Sequence, residues 1–293
     1  MHHTRVACAV FALVVTMALY AGAASADDLQ AVKHRGILRH LGIPYANFVT
    51  GDGQGMDVEL MQLFAKHLGV AYEYRKTDWS NIFSGLTGKT YTKTGDDIQY
   101  TGSAEIQGDI AANGITVLPW RQKLVNFSKP TFPNQVWVIA RADMSVKPIK
   151  PSGNIEADIA AVKKLLMNRS LLGKTGTCLE PSLYNIEATG AKVQLFPGKL
   201  DDMAPALLNG DAALTLLDVP DALIALQKWP GKIKILGPVS PMQDMAAAFS
   251  PDSPALQKEF ETFLEKCKKD GTYIRLVKKY YPYVTDFYPE FFK

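Results

Sequence analysis

Apolar positions along this chain follow two alternating rhythms, short continuous runs and helical stripes. Gly36 to Ile43 reads as a first strand. Met56 to Leu68 carries Val58, Met61, Ala65 and Leu68 at helical spacing and stops at Gly69, which predicts an amphipathic helix with a glycine cap. Val70 to Tyr74 predicts a second strand and Trp79 to Leu86 a helix. Tyr91 to Gly108 breaks the rhythm: it is polar, rich in Thr and Gly, and reads as an insertion in the form of a hairpin. Asp109 to Val117 and Gln135 to Ala140 read as strands, and Ile155 to Asn168 as an amphipathic helix. Leu171 to Lys174 predicts a strand that runs into Thr175-Gly176-Thr177, with a helix after it. Asp201 to Leu208 predicts a helix, the apolar run Ala212 to Leu217 a buried parallel strand, and Pro220 to Trp229 a helix. Ser253-Pro254 opens the last major helix as N-cap and first-turn proline. Its apolar face is Leu256, Phe260, Phe263, Leu264 and Cys267, and Gly271 ends it.

Strands alternating with helices predict an α/β fold with mostly parallel sheets. Two such stretches meet at Phe127 to Trp137 and again at Gly237 to Asp244, both containing Pro. A chain that crosses twice between two lobes leaves a cleft between them as the ligand site. The expected boundaries are lobe 1 over 27–133, with the insertion at about 90–107, lobe 2 over 134–240, and a return to lobe 1 over 241–293.

The N-terminus changes the picture of what folds. A short start with one cation, Arg5, precedes the apolar run Val6 to Tyr20 and the small-residue pattern Ala24-Ser25-Ala26. This is the pattern of a secretory signal peptide, cleaved after Ala26, and it sends the mature protein out of the cytoplasm. An N-terminal anchor is disfavoured, because the apolar run is short and no basic cluster follows. Cys8 leaves with the peptide, so Cys178 and Cys267 remain. An oxidising compartment would let them pair. Cys267 nevertheless falls on an apolar helix face, which favours a buried thiol, and the two lie in different predicted lobes.

Composition excludes several classes. The 293 residues are 47% hydrophobic and 21% charged, with a formal charge of +3. That argues against disorder. No basic stripe suggests nucleic acid. No CxxC pair suggests structural zinc. The chain has no phosphate loop, dinucleotide fingerprint, HExxH or GxSxG, so no catalytic site, metal or cofactor is expected. Gly51 to Gly55 reads as a polar turn. His34, His40 and His67 lack ligand spacing and read as surface or internally satisfied histidines. Asp96-Asp97 and Asp201-Asp202 read as solvated faces or caps.

Four features carry candidate chemistry. In Asn113-Gly114-Ile115-Thr116-Val117-Leu118-Pro119-Trp120-Arg121, backbone N–H groups and a guanidinium fork suit a carboxylate, although a single Arg is by default a surface residue. Thr175-Gly176-Thr177-Cys178 would offer a helix N-terminus to an anion, or be an ordinary cap. Asp218 follows a buried strand and could hold an ammonium, or cap the helix at Pro220. Tyr45 and Phe48, with Trp79, could sandwich a ligand or simply pack the core.

The motifs resemble those of the periplasmic solute-binding proteins that include the polar amino-acid binders. The resemblance rests on Tyr45-Ala46-Asn47-Phe48, on Gly55-Met56-Asp57-Val58-Glu59-Leu60 through Leu68-Gly69-Val70, and on Gly108 to Thr116 through Arg121 with Val125-Asn126-Phe127-Ser128. The closing segment Asp252 to Leu256, Gly271-Thr272-Tyr273 and Lys278-Lys279-Tyr280 extends it over essentially the whole mature chain. It implies a two-lobed Venus-flytrap of the type II periplasmic-binding class, a monomer that closes on a small solute and delivers it to an ABC permease. By the same resemblance Arg121 binds an α-carboxylate, assisted by Asn113, Gly114 and Thr116. Gly176 and Thr177 hold the same carboxylate, with Cys178 in the turn. Asp218 holds the α-amino group, and Tyr45 and Trp79 flank the ligand side chain.

The chain departs from the pattern at Cys178, where Thr or Ser is usual, at Leu118 in place of a Thr, and at Ala213 in place of an Asp. The insertion and the aromatic tail of Tyr280, Tyr281, Tyr283, Phe287, Tyr288, Phe291 and Phe292 are further departures. The tail is expected to cap lobe 1. Two alternatives follow: a ligand-free accessory protein of a periplasmic quinoprotein dehydrogenase, and an enzyme resembling cyclohexadienyl dehydratase.

Overall fold

The computed structural model describes residues 28–51 and 53–292, so the signal-peptide reading lies outside the described residues. β1 (Ile37–Gly42) and β2 (Ala71–Lys76) pair in parallel, with Ile37 opposite Ala71. Between them the helix Met56–Leu68 has the predicted bounds, and Gly69 closes it in the left-handed conformation. Gly55 enters that helix with φ +127°, and a Cβ there would stand 2.3 Å from the Phe48 carbonyl oxygen. Glycine is what lets the Tyr45–Phe48 loop fold onto the helix start.

The predicted helix at Trp79 begins later, at Ile82–Thr87, because Asp78 holds Ser80 and Asn81 in a turn first. β3 (Lys89–Thr94) and β4 (Asp97–Ser103) form an antiparallel hairpin at the expected insertion. The strand expected over Asp109 to Val117 shrinks to β5 (Ile110–Ala111), since Gly114 takes φ +65° and ends the extended run. β6 (Asn126–Phe127) follows the short helix Pro119–Gln122.

β7 (Phe132–Asn134) leads into β8 (Val136–Arg141). The helix expected to Asn168 ends at Lys164, and Asn168 itself turns left-handed at φ 61°. β9 (Ser170–Gly173) and β10 (Lys192–Leu195) come next. Asp201 and Asp202 form a short 3₁₀ turn, and the α-helix proper is Met203–Asn209. β11 (Leu214–Asp218), the helix Val219–Lys228 and β12 (Ile233–Pro238) complete this half. β13 (Gln243–Met245) and β14 (Ala248–Phe249) precede the helices Pro254–Lys269 and Thr272–Tyr280.

Two five-stranded sheets result, in the orders β2-β1-β5-β14-β6 and β10-β9-β11-β8-β12. Each has three adjacent parallel strands, and β14 and β8 run against them. The run expected to be a buried parallel strand is thus parallel to β9 on one side and antiparallel to β8 on the other. β7 and β13 pair as an antiparallel ribbon, Phe132 opposite Met245, and carry the chain from one sheet to the other and back. This is a two-lobed α/β fold with two crossings.

The Pro254–Lys269 helix buries Leu256, Phe260, Phe263, Leu264 and Cys267, the face its spacing predicts. Pro254 stands in its first turn, but the Ser253 side chain makes no cap bond. Phe260 meets Phe64 edge-on at 5.2 Å and Phe249 at 5.6 Å, joining two helices to the first sheet. Cys178 and Cys267 are both free and buried.

The aromatic tail reaches further than lobe 1. Tyr281 packs on Phe48 at 5.1 Å, and its hydroxyl oxygen accepts the Asn47 N–H at 3.0 Å. The same ring lies 4.8 Å from Phe132 in β7. Phe292 also meets Phe132, and Phe287 lies 6.1 Å from Trp137 in β8. The chain end therefore runs across the connecting ribbon onto the second sheet. Among the described residues no helix is long and apolar enough to cross a membrane.

Candidate functional site

Arg121 lies in the Pro119–Gln122 turn and is 1% exposed. Its Nη1 donates to the Thr116 carbonyl at 2.9 Å, and its Nη2 reaches the Gly176 carbonyl at 3.4 Å from the second lobe. Trp79, Trp120 and Phe83 present ring faces to the guanidinium at 5.0, 5.2 and 5.7 Å. Its Nε is buried without a hydrogen-bond partner. Among the described residues no carboxylate pairs with it. Burial lowers its pKa. A desolvated cation held by π faces and two carbonyls lacks the charge partner such a group normally needs.

Asp218 ends β11 and is buried on the opposite side. Its Oδ2 accepts from the Tyr45 hydroxyl at 2.5 Å and the Cys178 thiol at 3.3 Å, and its Oδ1 caps the next helix through the Asp221 N–H at 3.4 Å. Both readings of Asp218, ligand group and cap, therefore act on one carboxylate. Burial pushes its pKa up, and the Tyr45 and Cys178 donors oppose that. Burial, and then the Asp218 carboxylate, push the Cys178 thiol well up, so it stays a thiol and a donor. Tyr184 donates to the Cys178 carbonyl at 2.5 Å and fixes that turn.

Several expected ligand donors are already engaged. The Gly114 N–H donates to Asp57 Oδ2 at 2.7 Å, so it faces the protein's own carboxylate. The expected helix after Thr177 does not form. Glu180 is extended before Pro181, as the residue before a proline prefers, and only a 3₁₀ turn Pro181–Tyr184 follows. The helix-terminus anion site is therefore corrected. Glu180 Oε2 takes the Gly176 N–H at 3.0 Å, and Thr177 Oγ1 donates to Lys174 and accepts from Leu179. Thr116 Oγ1 accepts from Asn134 at 3.3 Å. Asn113 differs: both polar atoms of its side chain are buried without partners. Trp79 is half-buried and meets Tyr45 edge-on at 6.5 Å.

The structure thus gathers Tyr45, Trp79, Thr116, Arg121, Cys178 and Asp218 about one closed seam. It also adds residues that the sequence reading missed. Tyr91 and Lys93, from the inserted hairpin, lie 6.4 and 5.4 Å from the Trp120 ring. Lys93 pairs with Glu180 across the lobes at 3.5 Å. Asp201 accepts the Ala46 N–H at 3.1 Å, so this exposed acid also makes an inter-lobe contact. Asp221 is buried three residues after Asp218. The signal for it was present in Asp218-Val219-Pro220-Asp221, but a second acid in a first turn reads as helix stabilisation. Away from the seam, His40 is internally satisfied by Tyr72 and the Ala112 carbonyl, and burial lowers its pKa to about 4.

Two lobes of α/β structure joined by a two-stranded ribbon, with a buried cation and a buried carboxylate near the seam between them, define the solute-binding architecture. The model of the bacterial extracellular solute-binding proteins, family 3, matches residues 42–102 and 100–283, and the chain belongs to that family. The two matched stretches meet within β4 of the inserted hairpin. The L-cystine-binding protein TcyJ of Escherichia coli is 26% identical over 283 residues, covering 92% of this chain and 93% of that one. The membrane-bound lytic murein transglycosylase F of Desulfosudis oleivorans is 24% identical over 237 residues, and the match takes in 80% of this chain but 45% of the relative. A binding component of an ABC transporter from Wolinella succinogenes, solved with lysine, superposes with a TM-score of 0.68 at 22% identity, covering 84% of this chain and 96% of that one.

Proposed function

We propose that the protein is a periplasmic, monomeric carrier that closes on a small amino-acid-like or carboxylate solute and passes it to an ABC permease. The observation that carries this reading is Arg121: a buried guanidinium with a free Nε and no carboxylate partner among the described residues. A solute carboxylate on Arg121, with its ammonium on Asp218, would supply both missing charges. Asn113 would add its unpartnered amide. Trp79 and Tyr45 would flank the side chain. Thr177, Cys178 and Gly114 would shape the seam rather than donate to the solute, since their donors are engaged, while the Thr116 hydroxyl, an acceptor for Asn134, would keep its proton for the solute. The lobes in this reading are 27–133, 134–240 and 241–293, with the leader cleaved after Ala26. The protein binds rather than catalyses: Asp218, the acid a dehydratase would need, is committed to Tyr45, Cys178 and the helix cap.

Isothermal titration against a panel of amino acids tests the reading. Saturable heat for at least one member, lost by about 2–5 kcal/mol in Arg121→Ala, is the expected result. Absence of heat for every member would sink it.

A second reading has its own support. Tyr45 and Cys178 already satisfy Asp218, and Glu180 and Asp57 already take the Gly176 and Gly114 amides. A seam so filled by the chain's own groups suits a ligand-free accessory protein of a periplasmic dehydrogenase. Co-purification with such an enzyme, together with a silent titration, would select it.

A further inference from the structure

The inserted hairpin has one inward face. In β3, Tyr91 and Lys93 are half-buried, whereas Thr92 and Thr94 are exposed. In β4 only Ile98 turns inward, and it stands opposite Lys93. Tyr91 and Ile98 pack on the apolar cluster that holds Phe83, Leu118 and Trp120. Leu183, from the Pro181–Tyr184 turn of the second lobe, packs on the same cluster. A two-stranded hairpin is marginal by itself, so this contact is what seats it. The hairpin is therefore seated where the second lobe arrives.

Lys93 completes that meeting. Its Nζ lies 5.4 Å from the Trp120 ring and 3.5 Å from Glu180 Oε2. The same carboxylate oxygen accepts the Gly176 N–H at 3.0 Å, and Oε1 accepts from the Ser182 hydroxyl at 3.2 Å. The Gly176 carbonyl in turn accepts from Arg121 Nη2 at 3.4 Å. Lys93, Glu180, Gly176 and Arg121 thus form one polar chain across the seam. Among the described residues Lys93–Glu180 is the one ion pair that joins the lobes. Its side chains are 19% and 16% exposed. That burial strengthens the attraction over that of a surface pair, and the remaining water spares the full cost of desolvation.

We propose that the hairpin is an inter-lobe clasp, in which Lys93 draws Glu180, and with it the Gly176 turn, onto Arg121. Lys93 and Glu180 are positioning residues: they favour the closed state in which Arg121 meets the second lobe. The polar contacts between the lobes then fall into two groups. Tyr45–Asp218 and Ala46–Asp201 start from the loop after β1, and Lys93–Glu180 and Arg121–Gly176 converge on the turn after β9. The first group uses neutral donors. The clasp joins two opposite charges, so added salt weakens it. The inference rests on the reading that the lobes open and close, and not on which solute closes them.

The test is a spin-label distance measurement between the lobes of the full mature protein without solute, in the unmodified chain and in a Tyr45→Phe background. Lys93→Met and Glu180→Gln should each raise the ratio of open to closed molecules about threefold or more. The double variant should open no further than the more open single variant, because both residues act through one pair. Lys93→Arg, which keeps the charge, should stay closed. Raising potassium chloride from about 0.05 to about 0.5 M should open the protein with Lys93 and leave Lys93→Met unchanged. An open fraction unmoved by Lys93→Met in both backgrounds overturns the inference. So does a double variant in which the two losses add, or a Lys93→Arg variant that opens as far as Lys93→Met. If Tyr45→Phe opens the lobes and Lys93→Met does not, the clasp alone falls; if neither opens them, the closure reading falls with it.

Discussion

The hydroxyl of Tyr45 donates to Asp218 at 2.5 Å, from the loop after β1 in one lobe to the end of β11 in the other. The bond places a neutral donor on the carboxylate proposed to hold a solute ammonium. It also latches the lobes together beside the weaker contacts of Arg121 with Gly176 and Ala46 with Asp201. A hydrogen bond to a buried, ionisable carboxyl contributes about 1.5–3 kcal/mol.

Tyr45→Phe removes that latch and keeps the ring. The expected outcome is a larger radius of gyration in solution scattering, as the unliganded population opens. An unchanged scattering profile would show that the bond does not hold the lobes.

Asp57 and His40 predict opposing pH responses of stability. Burial raises Asp57 from 3.8 to about 7, although the Gly114 N–H opposes it. The native state then binds the proton more tightly than the unfolded chain, so Asp57 costs stability progressively as pH rises from about 4 to about 7. Burial lowers His40 from 6.5 to about 4, so its contribution is lost as pH falls from about 6.5 to about 4. Each amounts to a few kcal/mol, on the order of the shift times 1.36. Asp57→Asn should leave a stability that rises with pH between about 4 and 6.5, read by urea unfolding across that range. A flat profile in the variant would show that His40 is not held neutral.

Phe260 ties the Pro254–Lys269 and Met56–Leu68 helices to the first sheet. Phe260→Ala should cost about 3–5 kcal/mol in urea denaturation, because the site is enclosed by Phe64, Phe263 and Phe249 and cannot collapse freely. A loss below 1 kcal/mol would mean the packing is looser than the ring geometry indicates.

The tail makes a prediction of its own. Removing the Phe287 and Phe292 rings by a double Ala substitution deletes the contacts with Trp137 and Phe132. Each aromatic pair contributes about 0.5–1.5 kcal/mol. The double variant should unfold at lower urea and show a wider spread of inter-lobe distances by spin-label measurement. Unchanged distances would confine the tail to a stabilising role.

These elements differ in how far the sequence announced them. The Met56–Leu68 helix and the face of Pro254–Lys269 were legible because a one-sided helix repeats its apolar positions every turn. The hairpin was legible as a loss of that repeat. Strand direction was not: β8 and β11 are equally apolar, and composition carries no sign of which way a buried strand runs. The helix expected after Thr177 failed for a local reason, Glu180 standing before Pro181, which was readable but outweighed by the analogy of a strand running into Gly-Thr. The site divides in the same way. Arg121 and Asp218 carried chain-local signals, a motif and a strand end. Tyr45 with Asp218, 173 positions apart, and Lys93 with Glu180, 87 apart, exist only once the lobes close.

The route of the final residues across the connecting ribbon has a practical side. A purification tag or fluorescent reporter fused behind the Pro289–Phe292 turn is anchored against the ribbon that joins the two lobes. Such a fusion would brake any pivoting of the lobes it was meant to observe, so attachments belong away from the ribbon and from the β3–β4 hairpin, whose Lys93 also reaches across the lobes.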